Sequence, residues 1–126
     1  MIERTSLKEI NSLLDNGKRI VFVLEGPNFP VSVQNYLSKA TFLNLEIDPD
    51  LISVDVKEQR MAIGILPSFL NSIDGALYVD IISLFCGITK CNGIMTDGNP
   101  LVVDDQHISH FASKILAIEV FGLLGY

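Results

Sequence analysis

Residues 19–30 read Arg-Ile-Val-Phe-Val-Leu-Glu-Gly-Pro-Asn-Phe-Pro, and this stretch decides the fold class. Arg19 to Leu24 is a near-continuous β-branched and apolar run, the pattern of a strand buried on both faces as in a parallel sheet. Glu25 to Pro30 then forms a loop at the strand's C-terminal end, the edge where open α/β sheets bind ligands. Upstream, Ser6-Leu7-Lys8-Glu9 matches a capping box, and Leu7, Ile10, Leu13 and Leu14 keep helical spacing. A helix over 6–16, closed by Asn16-Gly17, therefore precedes the strand.

Downstream, residues 31–40 present Val33, Tyr36, Leu37 and Ala40 on one helical face. Residues 41–52 read as irregular and contain Pro49. A longer helical pattern spans 53–73, with Pro67 expected to kink or divide it because it lacks an amide proton. Ala76 to Ile81 is a second strand. The order helix–strand–helix–strand predicts an α/β sandwich with parallel strands. Asp97-Gly98, between the apolar ends of 94–103, signals a hairpin. After a short loop at 104–106, residues 108–122 form a closing helix with Ile108, Phe111, Ile115, Leu116, Ile118 and Val120 toward the core. The chain has no repeats or linkers and reads as one unit over 1–126.

Composition narrows the functional classes. A chain of 126 residues can bury a single-domain core, and 48% hydrophobic content is high while 19% charged is slightly low. No run approaches the roughly 18 uninterrupted apolar residues of a membrane span. The N-terminal segment carries scattered charges and no apolar signal-peptide core. A net charge of −6 with nine dispersed Lys and Arg argues against nucleic acid, whose phosphates call for clustered cations.

The strongest chemical signal is Val-Val-Asp-Asp-Gln-His-Ile-Ser-His-Phe-Ala-Ser-Lys-Ile-Leu-Ala at 102–117. Asp104-x-x-His107 places a carboxylate and an imidazole within one turn. A carboxylate at one ring nitrogen leaves the other free to act as a base. Asp105 competes for that role, and both acids also suit a helix N-terminus. None of the ten serines lies in a Gly-Asp-Ser or Gly-x-Ser-x-Gly setting. Ser83, just past the second strand, is the least unsuitable nucleophile, with nothing around it to form an oxyanion hole. Cys86, Cys91, His107 and His110 form a weak candidate zinc set. The spacing of Cys86 and Cys91 is also compatible with a disulfide or with two buried thiols.

The order Tyr78-x-Asp80, Cys86, Cys91, a DG hairpin and VDDQHISHFASKILA resembles the C-terminal part of SGNH-type domains. The resemblance is to those fused behind the membrane acyltransferase-3 domain of bacterial O-acetyltransferases that modify surface polysaccharide, lipopolysaccharide or peptidoglycan. It covers most of the chain, is most specific across 78–117 and is loose across 31–70. It implies a three-layer α/β/α sandwich, present here as its C-terminal part. It implies that His107 deprotonates a serine while Asp104 orients the imidazole and stabilises its charged form. It further implies that Cys86 and Cys91 form a disulfide on the periplasmic or extracytoplasmic side of the membrane. A glycan acceptor and an acyl donor would be the partners, with no cofactor and no metal. Ala112-Ser113 stands where the pattern often has Gly-Ala or Gly-Ser.

The family's nucleophile and oxyanion blocks precede the region matched here. Met1 therefore reads as the start of a truncated product, lacking the N-terminal half of the domain and the transmembrane helices. Loss of a triad nucleophile costs on the order of 10⁶ in turnover, so the isolated chain is expected to be inactive. The alternative is a non-catalytic glycan-binding or structural remnant. A strand at 19–24 without its usual neighbours is also expected to leave an apolar edge that favours association.

Overall fold

The computed structural model describes residues 4–126, with side chains from Leu7 onward. Helix α1 (Arg4–Asp15) begins two residues ahead of the expected start, so Ser6 falls inside its first turn. The side-chain half of that capping box lies outside the described residues. The stop is as read: Gly17 takes φ 76°, a left-handed conformation that glycine adopts without a Cβ penalty. The chain then enters strand β1 (Ile20–Leu24).

Helix α2 (Val33–Leu43) follows the 25–32 loop and runs three residues past its expected end, to a left-handed Asn44 at φ 52°. Pro49–Leu51 forms a single 3-10 turn. The segment 53–73 is the main departure from the sequence reading. It opens as strand β2 (Ser53–Asp55) and continues as helix α3 (Val56–Ile63) and helix α4 (Leu66–Asn71). Asp55 caps α3 by accepting from the Glu58 amide at 3.1 Å, and the Asp55-x-x-Glu58 spacing is the local signal for that start. The division falls at Gly64, φ 65°, rather than at Pro67, which sits in the first turn of α4 where no amide proton is needed.

Strand β3 (Ala76–Asp80) pairs with β1 in parallel, in register from Ile20 opposite Ala76 to Leu24 opposite Asp80. The short helix α5 (Ile81–Phe85) follows at once, capped by Asp80, which accepts from the Ile82 amide. Strand β4 (Lys90–Asn92) pairs antiparallel with β2 to make a second small sheet. The last element is α6 (His110–Leu123). No helix among the described residues is long and apolar enough to cross a membrane.

Phe22, Leu24, Ala76 and Tyr78 share one face of the β1–β3 sheet, where α1 and α4 cover them with Leu7, Ile10, Leu14, Leu66 and Leu70. Side chains alternate along a strand, so Val79 points to the opposite face, and α6 contacts β3. Arg19, just before β1, hydrogen-bonds the Leu124 carbonyl and lies 5.4 Å over the Tyr126 ring, fastening the far end of α6. The result is an incomplete α/β/α sandwich with a parallel sheet. A second core joins Phe29, Val33, Ile52, Val56, Ile82, Cys91, Leu101, Val102 and Ala112.

Two expectations about burial are corrected. β1 is not buried on both faces: Val23 is 48% exposed, on a strand that pairs only with β3 among the described residues. The closing helix starts at His110, not at 108, and only Ala112 on it is buried. Phe111, Ile115 and Ile118, assigned to its core side, are exposed. An apolar helix of this kind lies against protein only where a neighbouring layer exists to receive it.

Candidate active site

Residues 101–109 form a tight antiparallel turn that the sequence did not announce. Val102 and Ile108 form a bridge, the Ser109 amide donates to the Leu101 carbonyl at 2.8 Å, and the Val103 amide donates to the His107 carbonyl at 2.8 Å. Asp104, Asp105 and Gln106 are the tip. The turn is anchored on both sides by buried residues, Leu101 and Val102 before it and Ser109 and Ala112 after it. Ser109 caps α6 by accepting from the Ala112 amide at 3.1 Å. The main chain of the turn's tip is also tied to the loop after β1 and the start of α2. The Phe29 amide donates to the Asp105 carbonyl at 2.8 Å, and the Val33 amide donates to the Asp104 carbonyl at 2.9 Å.

Within this turn Asp104 and His107 meet. Asp104 Oδ2 lies 2.7 Å from His107 Nδ1. The other oxygen, Oδ1, accepts from the Gln106 amide at 2.8 Å and the His107 amide at 2.7 Å. These donors stabilise the ionised carboxylate, the Gln106 amide most, then the His107 amide and ring, and hold its pKa at about 2. With Oδ2 as acceptor, Nδ1 carries the proton and Nε2 presents its lone pair outward. The choice between the two acids is thus made by geometry. Asp104 holds the ring, while Asp105 is exposed at the tip and contributes its main-chain carbonyl to Phe29.

His107 faces a cavity of about 340 Å³ shared with the C-terminal end of β1 and its loop. Val23, Leu24, Ile81 and Ile108 give it apolar walls, and Glu25, Asn28 and Gln106 add polar groups. The loop comes this close because Gly26 packs on Ile81, where a Cβ would stand 2.8 Å from Cγ2. The Asn28 amide donates to Gln59 Oε1 at 2.9 Å, bracing the loop from α3. The sequence indicated this loop as a ligand-binding edge. It did not single out Glu25, Asn28 or Gln106, whose only signal is polar character in a loop flanked by apolar runs. The His107 side chain remains 71% exposed.

Ser83 lies elsewhere. Its Oγ donates to Asp80 Oδ2 at 2.8 Å and accepts from Arg60 Nη2 at 2.9 Å, while Arg60 Nη1 pairs with the same Asp80 oxygen at 2.8 Å. Burial alone raises the Asp80 pKa, but the bonds from Arg60, Ser83 and the backbone outweigh it, and the net shift is downward. This hydroxyl fastens α3 to the β3–α5 corner and has no imidazole to activate it. No serine, threonine or cysteine lines the His107 cavity among the described residues.

Cys86 and Cys91 are joined by a disulfide with Cα atoms 4.3 Å apart. It ties the end of α5 to β4, with Cys91 wholly buried in the second core. The zinc set does not assemble: both sulfurs are consumed in the bond, and no three His, Cys, Asp or Glu side chains converge among the described residues.

The fold is an α/β domain with a parallel sheet, a loop bordering a cavity at its carboxyl edge and a carboxylate-held histidine before the closing helix. Residues 3–120 match the family model "SGNH domain (fused to AT3 domains)", and the chain belongs to that family. No curated protein and no solved structure matches it.

Proposed function

We propose that this domain is the acid–base half of a serine-dependent O-acyltransferase that passes an acetyl group to a sugar hydroxyl of a cell-surface polysaccharide, lipopolysaccharide or peptidoglycan. The observation that carries the reading is the 2.7 Å contact between Asp104 Oδ2 and His107 Nδ1 at the mouth of a cavity. His107 Nε2 removes the proton of a serine hydroxyl as that oxygen attacks the acyl carbonyl. It then returns the proton to the leaving group, and an acyl-serine forms. In the second half, Nε2 takes the proton of the acceptor's hydroxyl as its oxygen attacks the acyl-serine, and gives it to the serine oxygen as the acyl–oxygen bond breaks. Asp104 orients the ring and stabilises the imidazolium. It does not itself take the proton. No serine lines the His107 cavity among the described residues, and in this reading the serine comes from another segment or chain. The disulfide and the membrane acyltransferase found with this family support an extracytoplasmic setting.

One observation favours a second reading, a non-catalytic glycan-binding domain: no nucleophilic side chain among the described residues shares the His107 cavity. Two assays separate the two. The purified chain is expected not to hydrolyse a small acetyl ester, and turnover abolished by His107→Ala would refute a supplied serine. In a membrane-bound parent carrying this domain, His107→Ala is expected to abolish sugar O-acetylation. Undiminished O-acetylation would leave the binding reading.

A further inference from the structure

A second and larger depression, of about 630 Å³, opens between α2, the turn at 98–100 and the start of α6. Two aromatic rings line it, Phe42, 89% exposed, and Phe111, 42% exposed, with Leu37 and Pro100 as smaller apolar walls. Four side chains able both to donate and to accept accompany them: Gln34, Ser38, Thr41 and Asn99. No charged residue or histidine lines it among the described residues. The composition follows from α2, where 34, 38 and 41 fall on one face while Val33 and Ala40 face the core.

The lining selects among ligand chemistries. Phosphate-bearing ligands and acidic sugars call for Lys or Arg, and there is none here. An acyl chain would cover the amide and hydroxyl groups of Gln34, Ser38, Thr41 and Asn99 with hydrocarbon, which takes away their water and gives them no partner. A pyranose ring satisfies both halves of the lining. Its C–H faces lie on aromatic rings, and its hydroxyls donate to and accept from Asn, Gln, Ser and Thr. The volume lies in the range of small-ligand sites.

We propose that this groove binds an uncharged oligosaccharide, with sugar faces laid on Phe42 and Phe111 and hydroxyls paired with Gln34, Ser38, Thr41 and Asn99. The proposal rests on the reading that the acceptor is a glycan, and it adds that the bound portion is neutral. Phe111 stands four residues beyond His107, so their Cα atoms are at most about 14 Å apart. A chain held in the groove lies within a few sugar rings of the dyad.

The test uses the whole chain and nuclear magnetic resonance titration with millimolar triacetylchitotriose and isomaltotriose, with trigalacturonic acid as the acidic counterpart. Amide shifts are expected at 34–42, 98–99 and 111 with at least one neutral probe and not with the acidic one. Phe42→Ala, which removes a ring almost wholly in solvent, and Phe111→Ala are each expected to weaken binding about tenfold. Circular dichroism checks that the variants fold. Shifts confined to Gln106 and His107, absence of shifts with both neutral probes, stronger binding of the acidic probe, or groove shifts that follow protein concentration without sugar would each overturn the proposal. The last of these would mark a contact between copies. Failure of the groove is separable from failure of the acyl-transfer reading. That reading is judged by O-acetylation in the His107→Ala parent, which has no bearing on Phe42.

Discussion

Asp104 and His107 are coupled twice, once through the side chains at 2.7 Å and once through the His107 amide, which donates to the same carboxylate at 2.7 Å. One residue therefore fixes both the backbone that carries the imidazole and the orientation of its ring. Asparagine at 104 can keep an oxygen toward the two amides but offers the ring no anion. Asp104→Asn is expected to leave the fold intact and to reduce O-acetylation in the membrane-bound parent by about 10⁴. Retention of more than a tenth of the activity would show that Asp104 does not act through His107.

Acid should release this arrangement in a defined window. The Asp104 carboxyl sits at about 2 in the folded chain, held down first by the Gln106 amide and then by the His107 amide and ring. Its unfolded value is about 4. A depressed folded pKa contributes stability that is fully present above about pH 4 and is lost as the pH falls toward 2. Carboxyl carbon titration by nuclear magnetic resonance is expected to place the Asp104 midpoint well below those of exposed aspartates. A midpoint near 4 would mean the two amide bonds are not held in solution.

The disulfide closes a short loop between α5 and β4, behind the core that supports the turn at 101–109. Chain-entropy reasoning assigns such a loop about 2 kcal/mol. Urea unfolding is expected to show that loss on adding reductant, as a lower midpoint with little change in slope. Cys91→Ser should cost more than Cys86→Ser, because Cys91 is wholly buried among apolar side chains. Equal midpoints with and without reductant would remove the disulfide from the stability of this chain.

The outer edge of β1 pairs with no other described strand, and Val23 projects into solvent beside it. Exposed apolar edges favour association between chains. The purified chain is expected to elute as more than a monomer in size-exclusion chromatography, and Val23→Lys should shift it toward monomer. A monomer at all concentrations would show that the edge is protected.

The parts legible in the sequence were those set by local chemistry. The strands read at 19–24 and 76–81 appear as Ile20–Leu24 and Ala76–Asp80, with Ile81 instead opening α5, and the glycine stop after α1 and the Asp97-Gly98 turn fall where turn residues placed them. The segment 53–73 misled because Met61, Ile65 and Phe69 keep a four-residue helical spacing across a break at Gly64. Strand β2 escaped because three residues carry too little pattern, and its existence depends on pairing with β4. The exposed apolar face of α6 was read as core because periodicity marks which side is apolar, not whether a partner lies against it.

The sequence by itself determined that an acid and a histidine would share one turn, since spacing along a chain is a local property. It determined the parallel α/β class in the same way, from the order of its periodic segments. Only the tertiary structure decided that Asp104 rather than Asp105 holds the ring, and that Ser83 belongs to a bracing network with Arg60 and Asp80. It alone brought Glu25 and Asn28 to the cavity of His107, about eighty residues away along the chain. Such contacts depend on which backbone amides find which carbonyls across the fold, as Phe29 and Val33 find Asp105 and Asp104.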